Sequence, residues 1–246
     1  MKINVAKWAK ALCYPRCSEE ELKARLRELE KLGVEELLEE GRSSIDGLKV
    51  LGKGCVGVVV VAVARGAKLA LKARRTDADR ESLLREAEML KVANSLGIGP
   101  RLIGATRNFL ATELIEGEVI EEWFQCNPDA SELIRVMREL LWQCFKLDQA
   151  GLDHGELSRA GRHILVSKSG APVIVDFESA SLHRKPRNVT SLCQYFLIRG
   201  RAAERVVEAL GLSDEDKRRV LRLLRDYKRG ASEASLKALL RGLKLT

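Results

Sequence analysis

The sequence predicts an α+β chain in two parts: strand-rich over residues 48–117, helix-rich over 118–246, with a helical extension over 1–47 in front. Three observations carry this. Short runs rich in Val and Leu, parted by glycine turns, read as antiparallel strands. Beyond about residue 118, apolar residues recur at helical spacing between Ser or Asp caps. At 246 residues the chain is long enough for one large domain or two small lobes, and needs no disulfide or structural metal to hold a core.

The elements follow in order. Ser18-Glu19-Glu20-Glu21 reads as a capping box, because the serine oxygen and the Glu21 carboxylate can satisfy free amides of a first helical turn. Leu22, Leu26 and Leu29 continue that helix, Gly33 and Gly41 punctuate it, and Arg42–Gly47 reads as a linker. Leu48–Leu51, Val56–Ala64 and Ala67–Ala73 are three strands, turned at Gly52-Lys53-Gly54 and Arg65-Gly66. Asp77–Ser95 is expected to be a helix stopped by Gly97, Gly99 and Pro100. Strands at Arg101–Ala105 and Phe109–Glu113 come next, with a break at Gly117. Asp129 caps a long helix to Ala150, closed by Gly151. His163–Ser167 and Val173–Phe177 form a hairpin across Lys168-Ser169-Gly170, and the remainder is helical, with caps at Ser213 and Ser232.

Composition narrows the function classes. With 46% hydrophobic residues the chain is not a disordered one. Its longest apolar run, Val56–Ala64, is about half of the roughly 20 residues that a membrane helix needs. The N-terminal residues lack the apolar stretch of a signal peptide, so a soluble cytoplasmic protein is expected. Arg, Lys, Glu and Val outweigh Gln and Asn, a thermophile's composition. The six cysteines show no paired metal spacing; Cys13-x-x-x-Cys17 offers two ligands only, and incidental thiols are the plainer reading. The net charge of +8 is concentrated: residues 181–246 hold sixteen Lys and Arg against seven Asp and Glu. That excess either takes a polyanionic partner, RNA or an acidic protein, or is a solvated helix face.

Four groups of residues carry chemistry. Gly52-Lys53-Gly54-Cys55-Val56-Gly57 is a GxGxxG followed by strand rather than helix, so its amides sit in a hairpin where they can cover phosphates. Lys72 lies in the alternating strand Leu69-Ala70-Leu71-Lys72 and requires an anion. Glu86, flanking the stripe Leu83, Ala87, Leu90 and Asn94, can be that anion. Finally His154-Gly155-Glu156-Leu157, His163-Ile164-Leu165-Val166 and Val173-Ile174-Val175-Asp176-Phe177-Glu178 set one carboxylate on a loop and another at a strand end. Such an order presents one acid to an acceptor and the other to a metal.

In these motifs the chain resembles the protein-kinase-like superfamily, over about residues 48–180. It is most similar to the small atypical archaeal serine/threonine kinases of the RIO and KEOPS-kinase type, with a His-Gly-Glu catalytic loop. The resemblance implies a bilobal fold and binding of ATP with Mg²⁺ or Mn²⁺. It implies that Gly52, Gly54 and Gly57 cover the phosphates and that Lys72, held by Glu86, binds them. Glu113 and Ile115, within the segment Glu113 to Gly117, would read adenine from a hinge. Glu156 would orient or deprotonate the acceptor, and Asp176 would ligate the metal.

The departures from the pattern are specific. Glu156 stands where the family has Asp, with no arginine before it. His163 takes the place of the metal-binding Asn, after two extra residues, and imidazole suits Mg²⁺ poorly. One metal suffices, or Mn²⁺ is used, or His163 serves another purpose. Glu178 replaces the glycine of Asp-Phe-Gly and can add an oxygen ligand. Arg184-Lys185-Pro186-Arg187 occupies the place of an activation segment, where it meets an anionic acceptor or is solvated. Two functions are therefore expected. One is an ATP-dependent phosphotransferase acting on Ser/Thr of a protein, on itself, or on a small molecule. The other is a pseudokinase-like module that holds nucleotide and docks RNA or a protein complex through its basic C-terminal third.

Overall fold

The computed structural model describes residues 3–198 and 201–246, with the side chains of Arg201 and Ala202 left aside; the helical readings at 1–2 and 199–200 lie outside the described residues. The chain is α+β and divides into two compact units, one running up to Lys91 and including Pro100–Ile115, the other comprising Val92–Gly99 and Glu116 onward. No helix among the described residues is long and apolar enough to cross a membrane.

In the first unit, α1 (Val5–Leu12) and α2 (Glu19–Lys31) precede β1 (Val34–Leu38), β2 (Ser43–Ile45), β3 (Leu48–Val50), β4 (Gly52–Lys53), β5 (Gly57–Ala64) and β6 (Ala67–Arg74). Then come α3 (Leu84–Ser95), β7 (Leu102–Ala105) and β8 (Phe109–Glu113). The main sheet runs in the order β1-β5-β6-β8-β7, with β4 paired to β5, and its pairings are antiparallel. Residues of α1 and α2 (Trp8, Leu12, Leu29) share a buried cluster with Val58 and Val60 of β5 and Leu69 and Leu71 of β6. By the period of two, Lys72 points to the other face, where Leu83, Ala87 and Leu110 form a second cluster.

Residues 1–47 were expected to be helical, and here the structure corrects the sequence. Gly33 takes φ +72° and ends α2. Val34–Leu38 then pairs with β5, with a register shift between Val34 and Glu36. That bulge sends Val34 and Leu37, three apart as on a helix, to the same buried side. The expected linker Arg42–Gly47 is instead half of the β2–β3 hairpin, turned at Asp46-Gly47, where both residues have positive φ. Ser18 caps α2 as expected, but the Glu21 carboxylate accepts from Nε of Arg25 at 2.7 Å. Arg25 is fully buried and takes that charge. The helix expected from Asp77 begins only at Leu84, because residues before it are tied elsewhere: Leu83 N donates to Arg107 O and Arg74 Nη1 to Arg80 O.

In the second unit, β9 (Gly117–Val119) replaces the expected break at Gly117 and pairs with β10 (Ile164–Ser167), which pairs in turn with β11 (Pro172–Ile174). A Cβ on Gly117 would lie 2.2 Å from Val166 O, so this strand approach requires glycine there. A short α4 (Ile120–Gln125), unforeseen in the sequence, leads to α5 (Ala130–Gln149), capped by Asp129. After two 3-10 turns at Leu157–Arg162 and Phe177–Ser179 come α6 (Asn188–Leu197), α7 (Arg201–Ala209), α8 (Asp214–Arg229) and α9 (Glu233–Gly242). Ser213 and Ser232 close full capping boxes on α8 and α9.

Candidate active site

The site residues fall into two groups, one in each unit. In the first, Lys72 Nζ donates to both oxygens of Glu86, at 3.0 and 2.9 Å, with the side chains only 12% and 5% exposed. Strand alternation puts the ammonium on the α3 face of β6, between Val59 and Leu110 in the ladder. Two charges removed from water hold together because each satisfies the other.

The glycine hairpin stands against this pair. Gly54 N donates to Gly57 O at 2.8 Å, closing the turn between β4 and β5. A Cβ on Gly57 would come within 2.9 Å of Cγ of Lys72 and 3.0 Å of Ala73 O, so the third glycine is there for closeness to the lysine. Arg75 and Tyr14, both missed in the sequence, fasten the hairpin: Arg75 Nη1 donates to Gly54 O, and the Tyr14 hydroxyl accepts from Lys53 Nζ at 2.6 Å. The Tyr14 ring lies 4.2 Å from Lys53 Nζ and 5.0 Å from the Arg75 guanidinium carbon, a cation–π arrangement on both. Glu113 ends β8, where its N donates to Arg101 O and its carboxylate accepts from Arg101 N. Ile115 is half-buried in the extended segment that follows.

In the second unit, Asp176 adopts φ 67° and ψ 75°, a left-handed conformation costly for a residue with a side chain and met mainly where surroundings enforce it. Carboxylate oxygens of Asp176 and Glu178 come within 4.8 Å of each other. His163 Nδ1 is 3.8 Å from Asp176 Oδ2 and, among the described residues, makes no hydrogen bond although buried. Two hard oxygen donors fit Mg²⁺ or Mn²⁺, and the imidazole nitrogen favours the latter. Glu156 is half-buried, and its Oε2 accepts from Arg159 Nη2 at 2.9 Å. The structure thus sets Asp176 beside Glu178 on one hand and His163 on the other, and gives Glu156 its own cation.

A buried scaffold carries this loop, and the sequence reading overlooked it. Asn188, at 1% exposure, donates from Nδ2 to Asp148 Oδ1 and to Leu152 O, and accepts from His154 N. Asp148 also accepts from Asn188 N, Val189 N and the Tyr227 hydroxyl. Burial raises the Asp148 carboxyl above its ordinary range against these donors, and burial with the neighbouring Asp148 raises Tyr227. His154 is fully buried; its ring makes a hydrogen bond to Val175 O and packs on Phe177 at 4.9 Å between centroids. The sequence signal was a charged Asp148 inside an otherwise buried helical face.

Burial lowers the His154 imidazole to about 4. The folded state therefore binds fewer protons than the unfolded one between about pH 4 and 6.5, so this stability is present above 6.5 and is lost as pH falls. Between pH 6.5 and 5 the loss from this group comes to about 2 kcal/mol. Denaturant midpoints at pH 7 and 5 for the wild type and His154→Gln check it: the variant should lose less on acidification by about that amount.

No protein-family model matches the chain. It is 26% identical over 117 residues to an uncharacterised protein of Methanocaldococcus jannaschii, a match that takes in 48% of this chain and 98% of that one. It is 31% identical over 101 residues to the KEOPS complex subunit Bud32 of Pyrococcus abyssi, covering 40% of this chain and 44% of the relative. Less than half of that subunit is spanned. Together with the α+β fold, the likeness supports a protein-kinase-like relationship of the Bud32 type.

Proposed function

We propose that the protein is an ATP-dependent phosphotransferase of the atypical serine/threonine kinase type. The observation that carries this reading is the buried Lys72–Glu86 pair on the strand face beside a glycine hairpin. A lysine fixed by a carboxylate beside a glycine hairpin is a phosphate-binding arrangement, since the pairing holds the amine at one place next to the turn. The first unit supplies these groups, with Gly52, Gly54 and Gly57 covering the phosphates and Glu113 and Ile115 offering backbone groups to the base.

The second unit supplies the groups for metal and acceptor. Asp176, with Glu178 and His163, would hold Mg²⁺ or Mn²⁺, which neutralises phosphate charge when bound. Glu156 orients the acceptor hydroxyl. As that oxygen bonds to the γ-phosphorus, the bond to the bridging oxygen breaks, ADP departs, and the hydroxyl proton passes to the Glu156 carboxylate.

The test is a calorimetric titration of ATP with Mg²⁺, with Mn²⁺ and without metal, followed by radiolabel transfer from γ-labelled ATP. We expect metal-dependent binding, and a loss of transfer of about a hundredfold or more in Asp176→Asn with the fold intact. ATP that fails to bind under every metal overturns the reading. Binding without transfer, indifferent to Glu156→Gln, leaves a nucleotide-holding module in its place.

A further inference from the structure

On the second unit, an open cavity of about 550 Å³ is lined by Asp153, Gly155, Arg184, Lys185, Arg187 and Ser191. A second, of about 420 Å³, shares Arg187 and Ser191 and continues over Ser158 to Leu221, Leu224, Arg225 and Lys228 of α8. The two cavities adjoin at these shared residues and are treated as one trench. Its wall begins at Gly155 and Ser158, which bracket Glu156. Five basic side chains line it against one acid, and that acid is engaged: Asp153 accepts from Arg184 Nε at 2.9 Å and from Arg187 N at 3.2 Å. Leu221, 41% exposed, and Leu224 give the far end an apolar floor.

We infer that this trench binds an acidic polypeptide segment and leads its hydroxyl residue to Glu156. The inference rests on the phosphotransferase reading and names its acceptor class. With Arg184 paired to Asp153, the four other lining cations fit an extended chain with several Asp or Glu. The Leu221–Leu224 floor fits an apolar side chain of that segment, which a sugar–phosphate backbone does not have. Among the described residues no aromatic side chain lines either cavity, so these walls offer bases no stacking platform. The charge concentrated after residue 181 thereby has a place: Arg184, Lys185 and Arg187 reach it from the loop before α6, Arg225 and Lys228 from α8.

The probe is a fluorescent twelve-residue peptide with a central serine, a leucine and flanking Asp and Glu, read by polarisation without nucleotide. Its Asn/Gln counterpart and a single-stranded RNA of equal charge serve as competitors. We expect the acidic peptide to bind, the neutral one to bind at least about tenfold more weakly, and affinity to fall as salt rises toward 0.5 M. Arg225→Glu/Lys228→Glu should weaken binding about tenfold or more, whereas Arg218→Glu/Arg219→Glu, the same charge change elsewhere on α8, should not. Thermal unfolding of both variants shows that they fold. Equal loss in the two double variants, or equal binding of the neutral peptide, overturns the trench. RNA that binds tighter than the peptide overturns it in favour of nucleic acid. Because the assay contains no ATP, its failure leaves the nucleotide reading standing, and peptide binding in a protein that binds no ATP keeps the trench while the phosphotransferase reading falls.

Discussion

Lys72→Met should lower stability by about 3–5 kcal/mol, and the double change Lys72→Met/Glu86→Leu should recover most of it. The single change removes the cation from a carboxylate that is 5% exposed, leaving a charge that burial disfavours. The double change replaces both charges with apolar groups of similar length beside Leu83, Ala87 and Leu110, which already form an apolar cluster. A buried ion pair exchanged for packed hydrocarbon is often neutral in stability or better. Nucleotide affinity should behave differently: both variants lose it by at least about tenfold, since neither offers an amine to phosphate. Urea midpoints and calorimetry on the same preparations separate the two effects. A double variant that regains stability and still binds ATP normally would remove Lys72 from the phosphate site. Gly57→Ala is a milder probe of the same place, because the added methyl meets Cγ of Lys72 at 2.9 Å without touching its charge.

Much of this arrangement was legible in the sequence, for identifiable reasons. Strand alternation in Leu69-Ala70-Leu71-Lys72 put the lysine on one face, and the stripe on α3 put Glu86 beside the core. Caps at Asp129, Ser213 and Ser232 are local and came out as read, and Ser18 caps its helix although the Glu21 half of the expected box is taken by Arg25. The N-terminal strands were hidden because tertiary pairing decides them. Val34-Glu35-Glu36-Leu37-Leu38 has the spacing and glutamates of a helix, and only an edge of β5 and a bulge make it a strand. Asp46-Gly47 did carry a hairpin signal that a linker reading passed over. Arg25 was visible too, three residues from Leu22 and four from Leu29 on the apolar face. Its partners were not, since Leu12 O, Arg74 O and Asn108 come from distant parts of the chain. The trench is likewise non-local: its cations lie some forty positions apart in sequence, at Arg184–Arg187 and Arg225–Lys228.

Asn188→Ala should cost about 4 kcal/mol and loosen the loop that carries Glu156. The truncated side chain leaves two groups short of a partner at a site only 1% exposed, Leu152 O and His154 N, and takes one of two donors from Asp148 Oδ1, which keeps the backbone N of residue 188. Each unsatisfied buried group costs about 1–3 kcal/mol. Tyr227→Phe, which removes only the hydroxyl donor to Asp148 Oδ2 at 2.9 Å, should cost about 1–2 kcal/mol, because Val189 N still faces that oxygen. Asn188→Asp turns the same position into an electrostatic test. It sets a second carboxylate against Asp148, whose own carboxyl burial already holds above the usual range. Two acids this close share a proton, so one pKa rises in the folded state only. The folded protein then binds more protons than the unfolded one at mildly acid pH. Relative to Asn188→Ala, this variant should therefore be least stable near pH 8 and recover as pH falls toward 5. Denaturant midpoints at both pH values decide it, and amide exchange at Leu152–Gly155 reports the loop. If Asn188→Ala leaves exchange there unchanged, Asn188 is a core residue with no hold on Glu156, and the placement of the Glu156 carboxylate must come from its pairing with Arg159 instead.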